Sequence, residues 1–170
     1  MATRHHNISG ELTQELLAVG DSVNVSSISL VNTHASTTCT VDLYIEKKLT
    51  GKFYFVKSLA LVVGVTAVLK DISFSNTGGQ FGLYIKLGKS DVFTLTGTID
   101  PVADPTVTGV NTLFLTEVAV GDEIIVSGET RTVASIASDT SLEVTVATTN
   151  TSNDTTPDCS PKPNVDVIIN

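Results

Sequence analysis

Apolar and polar residues alternate along much of this chain. The clearest case is Thr40-Val41-Asp42-Leu43-Tyr44-Ile45, with 41, 43 and 45 on one face and 40, 42 and 44 on the other. Successive side chains of an extended strand point to opposite sides, so a period of two predicts a half-buried strand. Phe81, Leu83, Ile85 and Leu87 repeat the pattern. Val23 to Leu30, Phe53 to Val56, Leu59 to Val63, Ala67 to Leu69 and Ile72 to Phe74 read as further strands. Turn signals separate them at Val19-Gly20-Asp21, in the charged stretch Glu46 to Lys52, and at Asn76-Thr77-Gly78-Gly79. Glu11 to Val19, apolar at 12, 16, 17 and 19, fits a helical turn or an irregular strand equally well. Residues 1–10 are polar and are expected to form an arm that orders on contact. Strands at intervals of ~8–12 residues, with no helical period between them, predict an antiparallel β-sandwich of jelly-roll or Ig-like type.

A second set of short strands starts near Val92. Phe93 to Ile99, Thr106 to Phe114, Glu123 to Val126, Thr130 to Ile136 and Leu142 to Val146 are separated by a Pro-containing loop at 100–105 and by turns at 127–129 and 138–141. That density is expected of a small barrel of SH3 or OB type over 92–150. Residues 151–163 are polar and punctuated by proline, and read as a linker. One isolated apolar strand, Val165 to Ile169, follows. A lone strand is not stable in water. It is expected to return to the first module and close it, which makes 1–91 plus 164–170 one domain and 92–150 an insertion. The rival is addition to the sheet of a neighbouring subunit.

Composition supports β structure: threonine, valine and isoleucine, stiff at χ1 and suited to a pleated surface, make up about a third of the chain. Hydrophobic residues at 41% exclude a disordered acidic chain. The net charge of −8 disfavours nucleic acid and anionic membrane surfaces, whose binding rests on Lys and Arg. The charge is also uneven. Residues 92–158 hold ten carboxylates against Arg131 as the one base, a net −9, while the remainder has eight acids and nine bases, a net +1. The start lacks the apolar core of a signal peptide, and no apolar run approaches the ~20 residues that span a bilayer, so assembly in a cytoplasm is expected.

Candidate chemistry is sparse. His5, His6 and His34 could be metal ligands, but adjacent histidines on an arm are a weak signal, and no metal or other cofactor is expected. Asp122 and Glu123 are neighbouring carboxylates on a strand start, which places them on opposite faces. HExxH, GxSxG, P-loop and GxGxxG motifs are absent, so no catalytic or cofactor-binding residue is assigned and no enzyme is expected. The acidic loops at Asp100 to Asp104 and Asp139 to Glu143 lack EF-hand spacing and read as solvated turns. The Asn-x-Ser/Thr triplets at Asn7, Asn24, Asn150 and Asn153 matter only for a secreted chain. Cys39 and Cys159 have no metal or redox spacing and read as small apolar residues, although a disulfide is conceivable. Tyr44 and Tyr54 fall out of phase with the core positions, where they could form a small glycan-binding patch or cover a sheet face.

Two stretches carry a resemblance. Val25-Ser-Ser-Ile-Ser-Leu-Val-Asn-Thr-His-Ala-Ser-Thr-Thr-Cys-Thr-Val-Asp-Leu-Tyr-Ile45 resembles a pattern of tailed-phage virion proteins, a strand ending in Asn-Thr followed by a turn and a strand reading Val-x-Leu-Tyr. Thr108 to Leu142, with Val120-Gly-Asp-Glu-Ile-Ile-Val-Ser-Gly-Glu-Thr-Arg-Thr-Val, is similar to a module of phage fibre and tail proteins. The resemblance implies a non-enzymatic virion structural protein, assembled in the host cytoplasm and present as a homo-oligomer on other virion proteins. Capsid decoration or cement is the favoured role. A neck or tail (fibre or baseplate) accessory and a host-glycan adhesin acting through the barrel are the alternatives.

Overall fold

A computed structural model describes residues 3–47, 51–75, 78, 80–88 and 91–170, without the side chains of 71 and 73. The chain is all-β, with antiparallel sheets, none closed into a barrel among the described residues. It divides into two compact units: Met1–His34, Thr38–Lys89 and Pro163–Asn170 form the first, and Ala35–Thr37 with Ser90–Lys162 form the second.

The first unit contains β1 (Arg4–Ser9), β2 (Thr13–Leu17), β3 (Asn24–Asn32), β4 (Cys39–Lys47), β5 (Gly51–Leu61), β6 (Thr66–Ser75) and β7 (Phe81–Gly88). The second contains β8 (Phe93–Thr94), β9 (Thr98–Pro101), β10 (Thr106–Val110), a single helical turn α1 (Phe114–Glu117), β11 (Glu123–Val126), β12 (Glu129–Ser138), β13 (Ser141–Val144) and β14 (Asp158–Ser160). The chain then re-enters the first unit as β15 (Asn164–Ile169).

In the first unit the sheet orders are β1-β15-β3-β6 and β2-β7-β4-β5. The inward positions of both sheets supply one core, including Ile28, Leu30, Val165 and Val167 from the first and Leu43, Leu83, Ile85 and Leu87 from the second. Burying such side chains stabilises by roughly 1.5–3 kcal/mol each. β15 lies between β1 and β3, with Ile8 opposite Val165 and Leu30 opposite Val167. Its pairing is therefore within the chain, and no neighbouring sheet is needed to satisfy it.

Four expectations change in this unit, one being that the separate strands at 67–69 and 72–74 are a single β6. The N-terminal arm is strand β1 from Arg4 onward, because Ile8 is buried and the backbone pairs with β15 along its length. Glu11 to Val19 resolves to the irregular strand, β2, whose register shifts between Glu15 and Leu17 so that Leu16 and Leu17 are both buried. The separate strands expected at 53–56 and 59–63 are one long β5, kinked where its register with β4 slips. Ser58 takes a left-handed φ of 52° at that slip, and Asp42 Oδ1 accepts its amide at 2.7 Å. The turns at 76–77 and 79 and the middle of the charged stretch, 48–50, lie outside the described residues.

The second unit is a seven-stranded sheet, β8-β14-β11-β12-β13-β10-β9, around Ile99, Val107, Phe114, Ile124, Val126, Val133, Leu142 and Cys159. The sheet does not close on itself. Ile99 in β9 meets Asp154 through an isolated two-bond bridge and no continuous ladder. The expected strand from Phe93 to Ile99 breaks at Gly97, whose φ is 83° and whose missing Cβ would stand 2.5 Å from the Val110 carbonyl oxygen. Residues 151–163 are no free linker either: β14 pairs with β11 and β8, and Asp154 accepts the Ser127 and Thr156 amides. The described residues include no helix long and apolar enough to cross a membrane.

Candidate functional site

Two surface features of the first unit stand out, one apolar and one aromatic. The apolar feature is the turn Val62-Val63-Gly64-Val65 between β5 and β6. Val62 and Val65 are 53% and 52% exposed, in a position where chains ordinarily place polar residues. The turn is held rigidly. Gly64 supplies a left-handed φ of 68°, and Val65 N donates to Val62 O at 3.2 Å. The anchor is Asn32, 1% exposed at the end of β3. Its Nδ2 donates to Leu61 O at 2.9 Å, its Oδ1 accepts the His34 amide at 3.0 Å, and its own carbonyl accepts Gly64 N at 3.2 Å. Val63 bridges Asn32 in parallel, and Thr33 N donates to Asn164 O at 3.0 Å. Asn32 of the Asn-Thr pair in the first resembling stretch is therefore the buried clamp of an apolar turn, while the exposed Thr33 bonds to Asn164.

The aromatic feature is a row across all four strands of the β2-β7-β4-β5 sheet. Register places Glu15 opposite Tyr84, Tyr84 opposite Tyr44, and Tyr44 opposite Tyr54, all on the face turned away from the core. Tyr44 and Tyr84 stack with centroids 5.8 Å apart and planes at 22°, and Tyr54 tilts against Tyr44 at 5.3 Å and 49°. Each tyrosine covers its neighbour, so Tyr44 is only 1% exposed although it points outward, while Tyr54 remains 42% exposed. Tyr84 Oη donates to Glu15 Oε2 at 3.0 Å. Burial, then that hydrogen bond, raise the Tyr84 pKa, so the phenol stays neutral. Gly82 makes room for the Tyr84 ring, since a Cβ there would stand 2.7 Å from it.

Lysines decorate the row. Lys57 Nζ lies 5.2 Å from the Tyr54 centroid and Lys52 Nζ 4.6 Å from that of Tyr44. The neighbouring Tyr44 oxygen raises the Lys52 pKa, yet the ammonium stands over the ring and forms no hydrogen bond with the hydroxyl. The buried Tyr44 Oη has no hydrogen-bond partner. Beside it opens a groove of about 560 Å³, lined by Thr13, Val19, Tyr44, Glu46, Lys52 and Tyr84.

The sequence signals fare unevenly here. Tyr44 and Tyr54 do share a face. Tyr84 escaped the sequence reading, although the alternation of Phe81, Leu83, Ile85 and Leu87 already turned it outward. The aromatic surface belongs to the first unit. The second unit has only Phe93 and the fully buried Phe114 as aromatics. His5 and His6 lie on β1 and His34 is buried in the turn after β3, and no group of metal-ligating side chains forms among the described residues. His6 is lowered in pKa, chiefly by burial and then by Arg4 and His5.

The carboxylates of the second unit serve its turns. Asp122, 1% exposed, accepts the Ala119 amide at 2.9 Å and the Lys162 amide at 2.8 Å, while Glu123 is exposed. Asp139 accepts the Leu115 amide at 3.0 Å and so supports the helical turn. Asp104 accepts the Thr106 amide at 2.7 Å, and Glu143 the Thr106 hydroxyl at 2.9 Å. Cys39 and Cys159 are free and sit in different cores.

No family model matches this chain, and no curated protein or solved structure matches it.

Proposed function

We propose that this chain is a non-enzymatic structural protein of a tailed-phage virion, a capsid decoration or cement protein that docks on the lattice through its first unit. In this reading the first unit is a β-sandwich and the second a small barrel, open along one margin, that interrupts it and projects outward. The observation that carries the proposal is the rigid apolar turn Val62-Val63-Gly64-Val65. An exposed apolar projection held in place by a buried asparagine has already paid its ordering entropy, which is what a docking contact requires. Strand addition fits the molecule less well. The long margin strand β5 is blunted by Lys52, Lys57 and the slip at Ser58, devices that discourage edge pairing. The charge contrast between the units suits the same arrangement. The second unit, acidic and strongly hydrated, faces solvent, and the nearly neutral first unit packs on protein.

The test is incorporation into particles. Quantitative mass spectrometry of purified virions is expected to find the protein stoichiometric with the major capsid protein. A substoichiometric amount would move it to the neck or tail, and absence would sink the virion reading. Val62→Asp with Val65→Asp is expected to abolish incorporation while leaving the melting temperature unchanged.

A further inference from the structure

From the tyrosine row we infer a second site, a subsite for one neutral pyranose ring. Three observations converge on it. The groove is walled by the partly exposed Tyr84 ring, which can meet the apolar C–H face of a sugar, with the buried Tyr44 beside it. Its polar lining is mixed, with Glu46 and Lys52 facing one another across β4 and β5 and Thr13 arriving from β2. A carboxylate and an ammonium side by side match vicinal hydroxyls, which both accept and donate, and they match neither an anion nor a cation. The third observation is the Tyr44 hydroxyl, buried and without a partner. An orphaned buried polar group is costly, and native proteins keep one where it serves another purpose. On the groove side the exposed Lys52 lies across it, 4.6 Å from the ring centroid. Swinging that side chain away lets a sugar hydroxyl reach the phenol.

Other placements are weaker. Neither the groove by Arg4 and Asn24 nor the recess beside His5 and His6 is lined by a tyrosine, phenylalanine or tryptophan. The tyrosine site does not rest on the virion reading, since a decoration protein and an unrelated protein could both carry it.

The experiment uses the full chain on an array of immobilised neutral oligosaccharides of hexoses and N-acetylhexosamines, with saturation-transfer NMR on the hits. Binding to at least one neutral glycan is expected. Tyr84→Ala is expected to abolish it, and Tyr44→Phe to weaken it about tenfold by removing one hydrogen bond. Tyr44→Phe leaves the ring in place and relieves an unpaired hydroxyl, so its melting temperature is expected to hold or rise. Loss of binding with gain of stability separates a ligand role from a packing role. No array binding, binding confined to anionic glycans, or binding unchanged in both variants would overturn the inference. Val62→Asp leaves sugar binding intact, so a failure of docking and a failure of this site are distinguishable.

Discussion

Asp122 Oδ1 accepts the Lys162 amide at 2.8 Å, fastening the segment beyond β14 to the turn before β11. The same carboxylate accepts Ala119 N at 2.9 Å, and its side chain is buried. One residue thus satisfies two amides on separate stretches of chain. Asp122→Ala strands both, and a buried unsatisfied donor costs about 1–3 kcal/mol. A fall in stability of roughly 2–5 kcal/mol is expected in urea titration. A change below about 0.5 kcal/mol would show that the turn is held by something else.

Glu129 gathers the loop after β13. Its carboxylate accepts the Thr149 hydroxyl, the Thr149 and Asn150 amides, both at 2.9 Å, and pairs with Arg131. The Thr149 hydrogen bonds, first from its side chain and then from its backbone, hold Glu129 below its ordinary pKa. A depressed carboxylate contributes stability that is present above its unfolded pKa and is lost as pH falls through the folded value. The loop at 149–150 is therefore expected to loosen only below the ordinary glutamate pKa of about 4.3. Amide exchange of Thr149 and Asn150 on acidification reads it, and Glu129→Gln is expected to abolish the pH dependence.

Both thiols are expected to be silent in the native state. Burial, then the Asp122 charge, push Cys159 up to about 12, and burial raises Cys39. At pH 8 the thiolate fraction of Cys159 is then about one in ten thousand. An aromatic disulfide reagent should titrate neither thiol in native protein and both in denaturant. Rapid reaction of either in the folded chain would contradict its burial.

Deleting Val165 to Asn170 removes the strand that β1 and β3 share, and with it Val165, Val167 and Ile169 from the core. Loss of cooperative unfolding of the first unit is expected by circular dichroism and urea titration. A truncated chain that remained a stable monomer would mean that β1 and β3 can pair without it.

Much of this was legible in the sequence, for local reasons. Alternation at 40–45 and 81–87 placed both strands and their inward faces, because a half-buried strand writes its period into the chain. The isolated strand at 165–169 announced a missing partner. What stayed hidden depends on pairing across the chain. Nothing local marks Asp158-Cys159-Ser160 as a strand, and it is one because β11 and β8 flank it. Arg4 to Ser9 has a single buried apolar residue, Ile8, and is extended because β15 lies alongside. Tyr44 was read as outward, correctly. Its burial on an outward face follows from register with Tyr54 and Tyr84, which no single segment contains.

The position of β15 also sets a timetable. β1 and β3 are synthesised early, yet the strand that joins them emerges only after everything between Lys89 and Pro163 has been made. In that interval both carry unsatisfied backbone edges, the condition that invites pairing with another chain. The second unit has all of its own strands in hand before β15 appears, so it can fold while the first is still incomplete. A strongly acidic companion that folds first is expected to keep nascent chains apart by charge repulsion during the wait. The late arrival of β15 is thus expected to make that acidity matter during biosynthesis.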